Sequence, residues 1–121
     1  MVEMRFGVVE AKFADVVWAH VPMTTGELVK ICEKEFNWKR TTTYTSLKRL
    51  CERGVFQSQG GIVTALISRE EFYSMQSEKV VEESFDGSLP AFIAAFTKRK
   101  SLSAEEVAEI RKLIEAAGKE G

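Results

Sequence analysis

The chain has 121 residues, of which 45% are apolar and 29% charged, and a formal net charge of −1 at pH 7. This length and ordinary composition suit one domain or one and a half, with only a small core. No apolar run approaches the roughly 20 residues of a membrane span, and the first residues lack the pattern of a secretory signal. We therefore expect a cytoplasmic protein with no membrane partner.

The first third of the chain predicts two helices. Val8 to Trp18 and Thr25 to Phe36 each carry apolar residues at helical spacing, the second through Leu28, Ile31, Cys32 and Phe36. Thr24 or Thr25 can cap the second helix, and Glu27 in its first turn favours the positive end of the helix dipole.

The segment from Trp38 to Phe56, WKRTTTYTSLKRLCERGVF, predicts a third helix with two different faces. Thr43, Leu47, Leu50 and Cys51 share one face at three- and four-residue spacing, as packing on a core requires. The remaining surface is polar and consists of Thr41, Thr42, Tyr44, Thr45, Lys48, Arg49 and Glu52. From Lys39 to Arg53 there are five cations and one acid, so the positive charge is local.

The polar face of this third helix is typical of DNA recognition. Phosphates require cations, whereas base edges and thymine methyls are read by hydroxyl side chains, Arg and small apolar groups. The predicted DNA-binding residues are Lys39, Arg40, Thr41, Thr42, Tyr44, Thr45, Lys48 and Arg49. An alternative interpretation is that the threonines only cap the helix and the cations only solvate its outer face. For Arg49, bracing the wing or pairing with an acid is a further alternative.

Gly54 ends the third helix, and Val55 to Ile67 predicts two short strands around Gly60-Gly61, a pair that suits a tight hairpin turn. Three helices followed by a hairpin form a winged helix-turn-helix over residues 1–68. We expect a mainly α fold with a small β-hairpin wing, and a core of Val17, Trp18, Leu28, Ile31, Leu47 and Leu50.

Residues 69–121 predict a helical dimerisation region. Ser68 and Glu71 form a capping box for a helix that runs to about Phe85, where Asp86-Gly87 breaks it. Pro90 suits the first turn of a short apolar helix, and Ser103 caps the last one. The predicted interface residues are Phe85, Leu89, Phe92, Ile93, Phe96, Val107, Ile110, Leu113 and Ile114. A second copy of the chain would cover them, and folding back as a monomer is the alternative.

Cofactor and catalytic patterns are not found in the sequence. Cys32 and Cys51 lie on apolar helix faces without a CxxC partner, which favours buried, reduced thiols. His20 stands alone and makes a poor zinc site. No nucleophile-base pair or phosphate-cradling glycine loop is present, so we expect neither an enzyme nor a cofactor.

Three segments in order resemble the penicillinase repressor family, which includes β-lactam-resistance and copper-responsive repressors. They are Glu10 with Val16-Val17-Trp18, the stretch TTYTSLKRLCERG from Thr42, and FDGSLPAFIAAF followed by LSAEEVAEIRKLIE. The resemblance covers nearly the whole length. It implies a homodimeric transcriptional repressor with a winged helix on each half of a palindromic operator and interlocking C-terminal helices.

The sequence also departs from the family pattern. Copper-responsive members end in a CxC cluster, whereas this chain has no cysteine after Cys51, so copper sensing through that motif is not expected. In the β-lactam branch a protease cleaves at a site often written Asn-Phe, to which Ala95-Phe96 corresponds here. The pair keeps the Phe of that site but has Ala95 in place of the Asn, so a regulatory protease remains an open candidate partner that this motif does not support. The wing, QSQGGIVTALIS, lacks the Lys and Arg that family wings usually place against the DNA backbone. The expected phosphate contacts therefore come from the recognition helix and from Lys39, Arg40 and Arg69.

The alternative functions are a winged-helix protein-interaction module and a ligand-sensing module without sequence-specific DNA binding. The bare wing favours a protein-interaction module, and the cation-rich third helix opposes it. An apolar ligand pocket leaves no sequence motif.

Overall fold

The computed structural model describes residues 6–118, which divide into one compact unit up to Lys79 and a second from Val80 onward. In chain order the elements are α1 (Val8–His20), β1 (Met23–Thr24), α2 (Thr25–Phe36), α3 (Arg40–Glu52), β2 (Phe56–Gln59), β3 (Ile62–Ala65), α4 (Arg69–Phe85), α5 (Leu89–Thr97) and α6 (Ala104–Ala117). Three helices followed by a hairpin confirm the predicted winged helix.

Local signals fix the ends of α2 and α3. The hydroxyl of Thr24 accepts a hydrogen bond from the Glu27 N–H at 3.0 Å, so Thr24 caps α2. After α3, Gly54 takes a positive φ of 82°. Its N–H donates to the Cys51 carbonyl and the Val55 N–H to the Leu50 carbonyl, both at 3.0 Å. This pair of bonds is a Schellman motif, which stops the recognition helix where the sequence predicts.

The wing is a β-hairpin whose two strands, β2 and β3, are joined by a two-residue loop, and the short strand β1 pairs with β3. Gly60 and Gly61 have φ of 60° and 78°, as a type I′ turn requires at both central positions. The sheet is antiparallel in the order β1-β3-β2, with Met23 paired to Val63. The sequence does not predict β1, because two residues are too short to show alternation.

The core of the first unit joins α1, α2, α3 and the sheet. It consists of Phe13, Ala14, Val17, Met23, Leu28, Cys32, Leu47, Leu50, Val55, Phe56, Val63, Ile67 and Phe72. Four of the six predicted core residues are therefore buried, and Trp18 and Ile31 are partly buried against them. The Trp18 indole N–H donates to the Ile67 carbonyl at 2.9 Å, which accounts for its position at the edge of the core.

The beginning of α4 belongs to the first unit. Phe72 is completely buried and stacks on Phe6, with ring centroids 4.5 Å apart. Ser68 caps the helix by accepting from the Glu71 N–H at 3.1 Å. The first compact unit extends to Lys79 and so includes the first turns of α4. The capping signal marks a new helix, but packing decides which unit contains its first turns.

The second unit contains the rest of α4 together with α5 and α6. Asp86 and Gly87, with φ of 51° and 79°, end α4 as predicted. Pro90 lies in the first turn of α5, and the Ser88 hydroxyl accepts from the Ala91 N–H at 3.1 Å. Ser103 and Glu106 form the predicted capping box of α6. Each helix thus has its own start signal.

Both cysteines in the described part of the chain are free thiols. Cys32 is completely buried and Cys51 half-buried, which confirms the buried environment fully for Cys32 and only partly for Cys51. Burial raises the pKa of each thiol, so both stay protonated at neutral pH. Within residues 6–118, no helix is long and apolar enough to cross a membrane.

Candidate nucleic-acid interface

Helix α3 separates a core face from a polar face. Thr43, Leu47 and Leu50 are buried against the first unit. All eight predicted DNA-binding side chains are exposed, and they are Lys39, Arg40, Thr41, Thr42, Tyr44, Thr45, Lys48 and Arg49. Lys39 is the residue immediately before α3, and the others lie along the helix. The structure thus brings the predicted side chains to the surface of one helix, where a major groove can accommodate them.

The N-terminal end of α3 favours negative charge. No side chain caps it, and its first turn contains no acid, in contrast to the ends that Thr24 and Ser103 cap on α2 and α6. Backbone N–H groups and the positive end of the helix dipole therefore remain unopposed there. Lys39 and Arg40 add two side-chain cations at the same end.

Thr45 carries a defined hydrogen bond within α3. Its hydroxyl donates to the Thr41 carbonyl at 2.8 Å, one turn earlier in the helix. The hydroxyl has a single hydrogen, so this bond uses its donor and leaves its lone pairs on the exposed side chain.

A groove of about 420 Å³ separates the beginning of α1 from α3. Thr42, Thr45 and Arg49 line it on the α3 side, and Val9 and Glu10 on the α1 side. Among the described residues Arg49 makes no ion pair, so the structure does not show the bracing or pairing role considered for it. The Arg49 guanidinium remains exposed beside the threonines.

Arg53 is the last of the five cations between Lys39 and Arg53, and its guanidinium contacts other residues of the first unit. Its guanidinium forms an ion pair with Glu10 at 3.0 Å and lies over the Phe6 ring at 5.7 Å. The Glu10 carboxylate also accepts from the Gly7 N–H at 3.2 Å. This ion pair ties the end of α3 to the beginning of α1, and the composition of the helix alone could not reveal it.

Arg69, which the sequence analysis expects to contact phosphate, has an acidic partner within the first unit. Its Nε donates to the Asp15 carboxylate at 2.8 Å, and its guanidinium lies 4.9 Å from the centre of the Tyr73 ring. The hydrogen bond to Asp15 is the main cause of the raised pKa of Arg69. Arg69 therefore pairs within the first unit.

The wing is neutral and internally hydrogen-bonded. The Gln57 side-chain amide donates to the Gln59 side-chain oxygen at 2.9 Å. Neither β2 nor β3 contains Lys or Arg, and Ile62 is 43% exposed. The strands of the hairpin therefore contribute no cation to the candidate interface.

The predicted dimerisation residues lie at the surface of the second unit. Among the described residues of α5 and α6, none is buried. Leu89, Phe96, Val107, Leu113 and Ile114 are exposed, whereas Phe85, Phe92, Ile93 and Ile110 are half-buried. The Phe85 and Phe92 rings meet edge to face at 5.3 Å. A groove of about 330 Å³, lined by Leu102, Val107, Ile110 and Ile114, runs along α6.

A winged helix with exposed hydroxyls and cations on its third helix defines a class of DNA-binding regulators. The chain matches the family described as penicillinase repressor over residues 6–116, and it belongs to that family. It is similar to the penicillinase repressor of Bacillus licheniformis, with 24% identity over 110 residues that cover 88% of this chain and 86% of the relative. The resemblance seen in the sequence is confirmed, and the chain is a DNA-binding repressor of transcription.

Proposed function

We propose that this repressor binds a palindromic operator as a homodimer and reads its sequence with α3. The observation that carries the proposal is that α3 has two faces. It buries Thr43, Leu47 and Leu50, and it exposes seven of the eight predicted DNA-binding residues, while the eighth, Lys39, is exposed immediately before it. In this proposal Thr42, Tyr44 and Thr45 face base edges, with Thr41 beside them. Lys39, Arg40, Lys48 and Arg49 contact or attract phosphates.

The local charge of α3 supports this orientation. Four exposed cations stand at Lys39 and along α3, and the acid of this helix, Glu52, is its last residue. Each phosphate that a cation neutralises releases counterions and contributes about 0.9 to the negative slope of log K against log salt. Because the wing is neutral, we expect a shallower slope than for a relative with a basic wing.

The exposed apolar side chains of α5 and α6 support a homodimer. A monomer would leave Phe96, Leu113 and Ile114, each about half exposed or more, in contact with water. A second copy offers the same apolar face and can cover both sets around a two-fold axis. Two copies of α3 would then contact half-sites about one helical turn apart.

Release from the operator can result from separating the DNA-binding part of the chain from the dimerisation part. We assign DNA binding to residues 1–68 and dimerisation to residues 69–121, with the first turns of α4 packed on the winged helix. Phe96 in the pair Ala95-Phe96 is 49% exposed. Cleavage of this pair by a regulatory protease would remove α6 and half of the apolar face from the DNA-binding unit. The protein would act in the cytoplasm, where bacterial DNA lies, and no catalytic role is proposed.

Selection from randomised duplexes followed by fluorescence anisotropy tests the proposal. The intact protein should enrich a palindrome and bind it at least about 10³-fold more tightly than a scrambled duplex. A protein-interaction or ligand-sensing module would bind both duplexes weakly and equally. Equal binding of selected and scrambled DNA would therefore overturn sequence-specific repression by this chain.

A further inference from the structure

Hydrogen-bond acceptors are scarce on the exposed surface of α3. Lys39, Arg40, Lys48 and Arg49 can only donate hydrogen bonds, and the carboxylate of Glu52 lies at the far end of the helix. Acceptors for the exocyclic amino groups of cytosine and adenine must therefore come from hydroxyl oxygens. Thr45, in the middle of the exposed face, provides one of them.

The hydroxyl of Thr45 has a fixed polarity. Its only hydrogen donates to the Thr41 carbonyl at 2.8 Å, within the ordinary range for an O–H donor. The oxygen can then accept but cannot donate unless that bond breaks. A guanine O6 or a thymine O4 opposite this oxygen would place two acceptors together, whereas an amino group would complete its hydrogen bonding.

We propose that Thr45 contributes only a hydrogen-bond acceptor and thereby selects a base with an amino group in the major groove, cytosine or adenine, over guanine or thymine at one position of each half-site. The donor is the N4 amino group of cytosine or the N6 amino group of adenine, and the acceptor is Thr45 Oγ1. This inference rests on the proposed binding of α3 in the major groove.

The test uses the duplex selected by the wild-type protein and swaps the base pair at each half-site position, A·T for T·A or C·G for G·C, in both half-sites. Each swap moves the amino group to the other strand. At one position the wild-type protein should lose affinity by about 5- to 150-fold for each half-site that carries the swap. Thr45→Val keeps the shape and a methyl group but removes the acceptor, so the two orientations at this position should differ by less than about twofold.

Thr45→Ser removes the methyl group and keeps the hydroxyl, so it tests which of the two groups carries the base preference. It keeps an oxygen that can donate to the Thr41 carbonyl, so the preference at this position should survive. Ser77→Ala is the matched control, because the Ser77 hydroxyl donates to the Ser74 carbonyl of α4 at 2.8 Å, outside the proposed interface. Its base preferences should equal those of the wild type. Circular dichroism of each variant verifies that helix content is unchanged.

The outcomes distinguish this inference from the proposed function. A wild-type protein without any preferred duplex would overturn sequence-specific binding itself. A selected operator on which Thr45→Val keeps every base preference would overturn only the acceptor role, as would loss of the preference in Thr45→Ser. Replacing the adenine or cytosine at this position by an analogue that lacks the amino group should cost the wild-type protein as much affinity as the swap. An unchanged affinity for this duplex would show that Thr45 Oγ1 does not accept from the amino group and would overturn the acceptor role.

Discussion

The two units differ in how far their aromatic side chains are buried. In the first unit Phe13, Phe56 and Phe72 are completely buried, whereas in the second Phe96 is 49% exposed and no described residue of α5 or α6 is buried. The winged helix therefore has a complete core within one chain. The C-terminal helices have an apolar surface that one chain does not cover. This contrast supports the proposal that α5 and α6 associate with a second copy of the chain.

The largest expected effect comes from breaking association. Replacing Phe96 by Asp places a charge on the apolar face of α5, and desolvating that charge would oppose dimerisation. Loss of the link between two recognition helices should lower operator affinity by about 10²- to 10⁴-fold. Sedimentation and anisotropy measure the two effects in parallel.

Lys100→Asp is the control for Phe96→Asp, since it changes charge in the exposed turn after α5 without removing an apolar side chain. It should remain dimeric and bind the operator. A Phe96→Asp protein that is still a dimer at micromolar concentration would place the interface elsewhere.

A second pair of variants contrasts the two kinds of apolar burial directly. Phe72→Ala leaves a cavity in the closed core and should lower the free energy of unfolding by about 3–5 kcal/mol, independent of protein concentration. Phe92→Ala should mainly weaken association, so its unfolding midpoint should fall most at low protein concentration. Urea denaturation at two protein concentrations separates the two responses. An identical response of both variants would contradict the contrast.

Two cations of the first unit, Lys48 and Arg69, should affect the salt dependence of DNA binding differently. Lys48→Ala should lower the magnitude of the salt slope by about 1.8, because two chains each lose one phosphate contact worth about 0.9. Arg69→Ala should leave the slope unchanged, since its guanidinium binds Asp15. Anisotropy between about 50 and 200 mM salt covers the useful range. A slope that responds to Arg69 and not to Lys48 would reverse the assignment of phosphate contacts.

The smallest effect concerns the ion pair between α1 and α3. Glu10→Gln removes the charge that faces Arg53 and should lower the free energy of unfolding by about 1 kcal/mol, with base preference unchanged. Asp15→Asn should cost less, because the Asp15–Arg69 pair is more exposed than the Glu10–Arg53 pair. Thermal unfolding ranks the two variants. Altered base preference in Glu10→Gln would show that Arg53 positions α3 on DNA.

The sequence predicts most of this fold because its signals are local. Capping residues, the glycine after α3 and the Gly60-Gly61 turn each act within a few residues, and the helices begin and end near them. The strand β1 escapes prediction because it has two residues and is defined only by its pairing with β3. The packing of Phe72 on Phe6 and Trp18 likewise depends on residues far away in the chain.

In the candidate site, too, the sequence predicts local features but not contacts between residues that are distant in the chain. The exposed face of α3 follows from helical spacing, so all eight residues appear where the sequence suggests. The partners of cations do not follow from spacing. Arg69 meets Asp15 across 54 residues of chain, and Arg53 meets Glu10 through the packing of α3 on α1. Charge counts along a helix therefore overestimate the cations that are free for phosphate.

The central claim is that two copies of α3, joined through the C-terminal helices, hold two half-sites at a fixed spacing. The most direct measurement compares the affinity of the intact protein for the selected operator with its affinity for the same operator carrying about five extra base pairs between the half-sites. This insertion is about half a helical turn and moves the second half-site to the opposite face of the duplex. We expect a loss of about 10²-fold or more, because only one recognition helix can then bind. Equal affinity for both duplexes would contradict it.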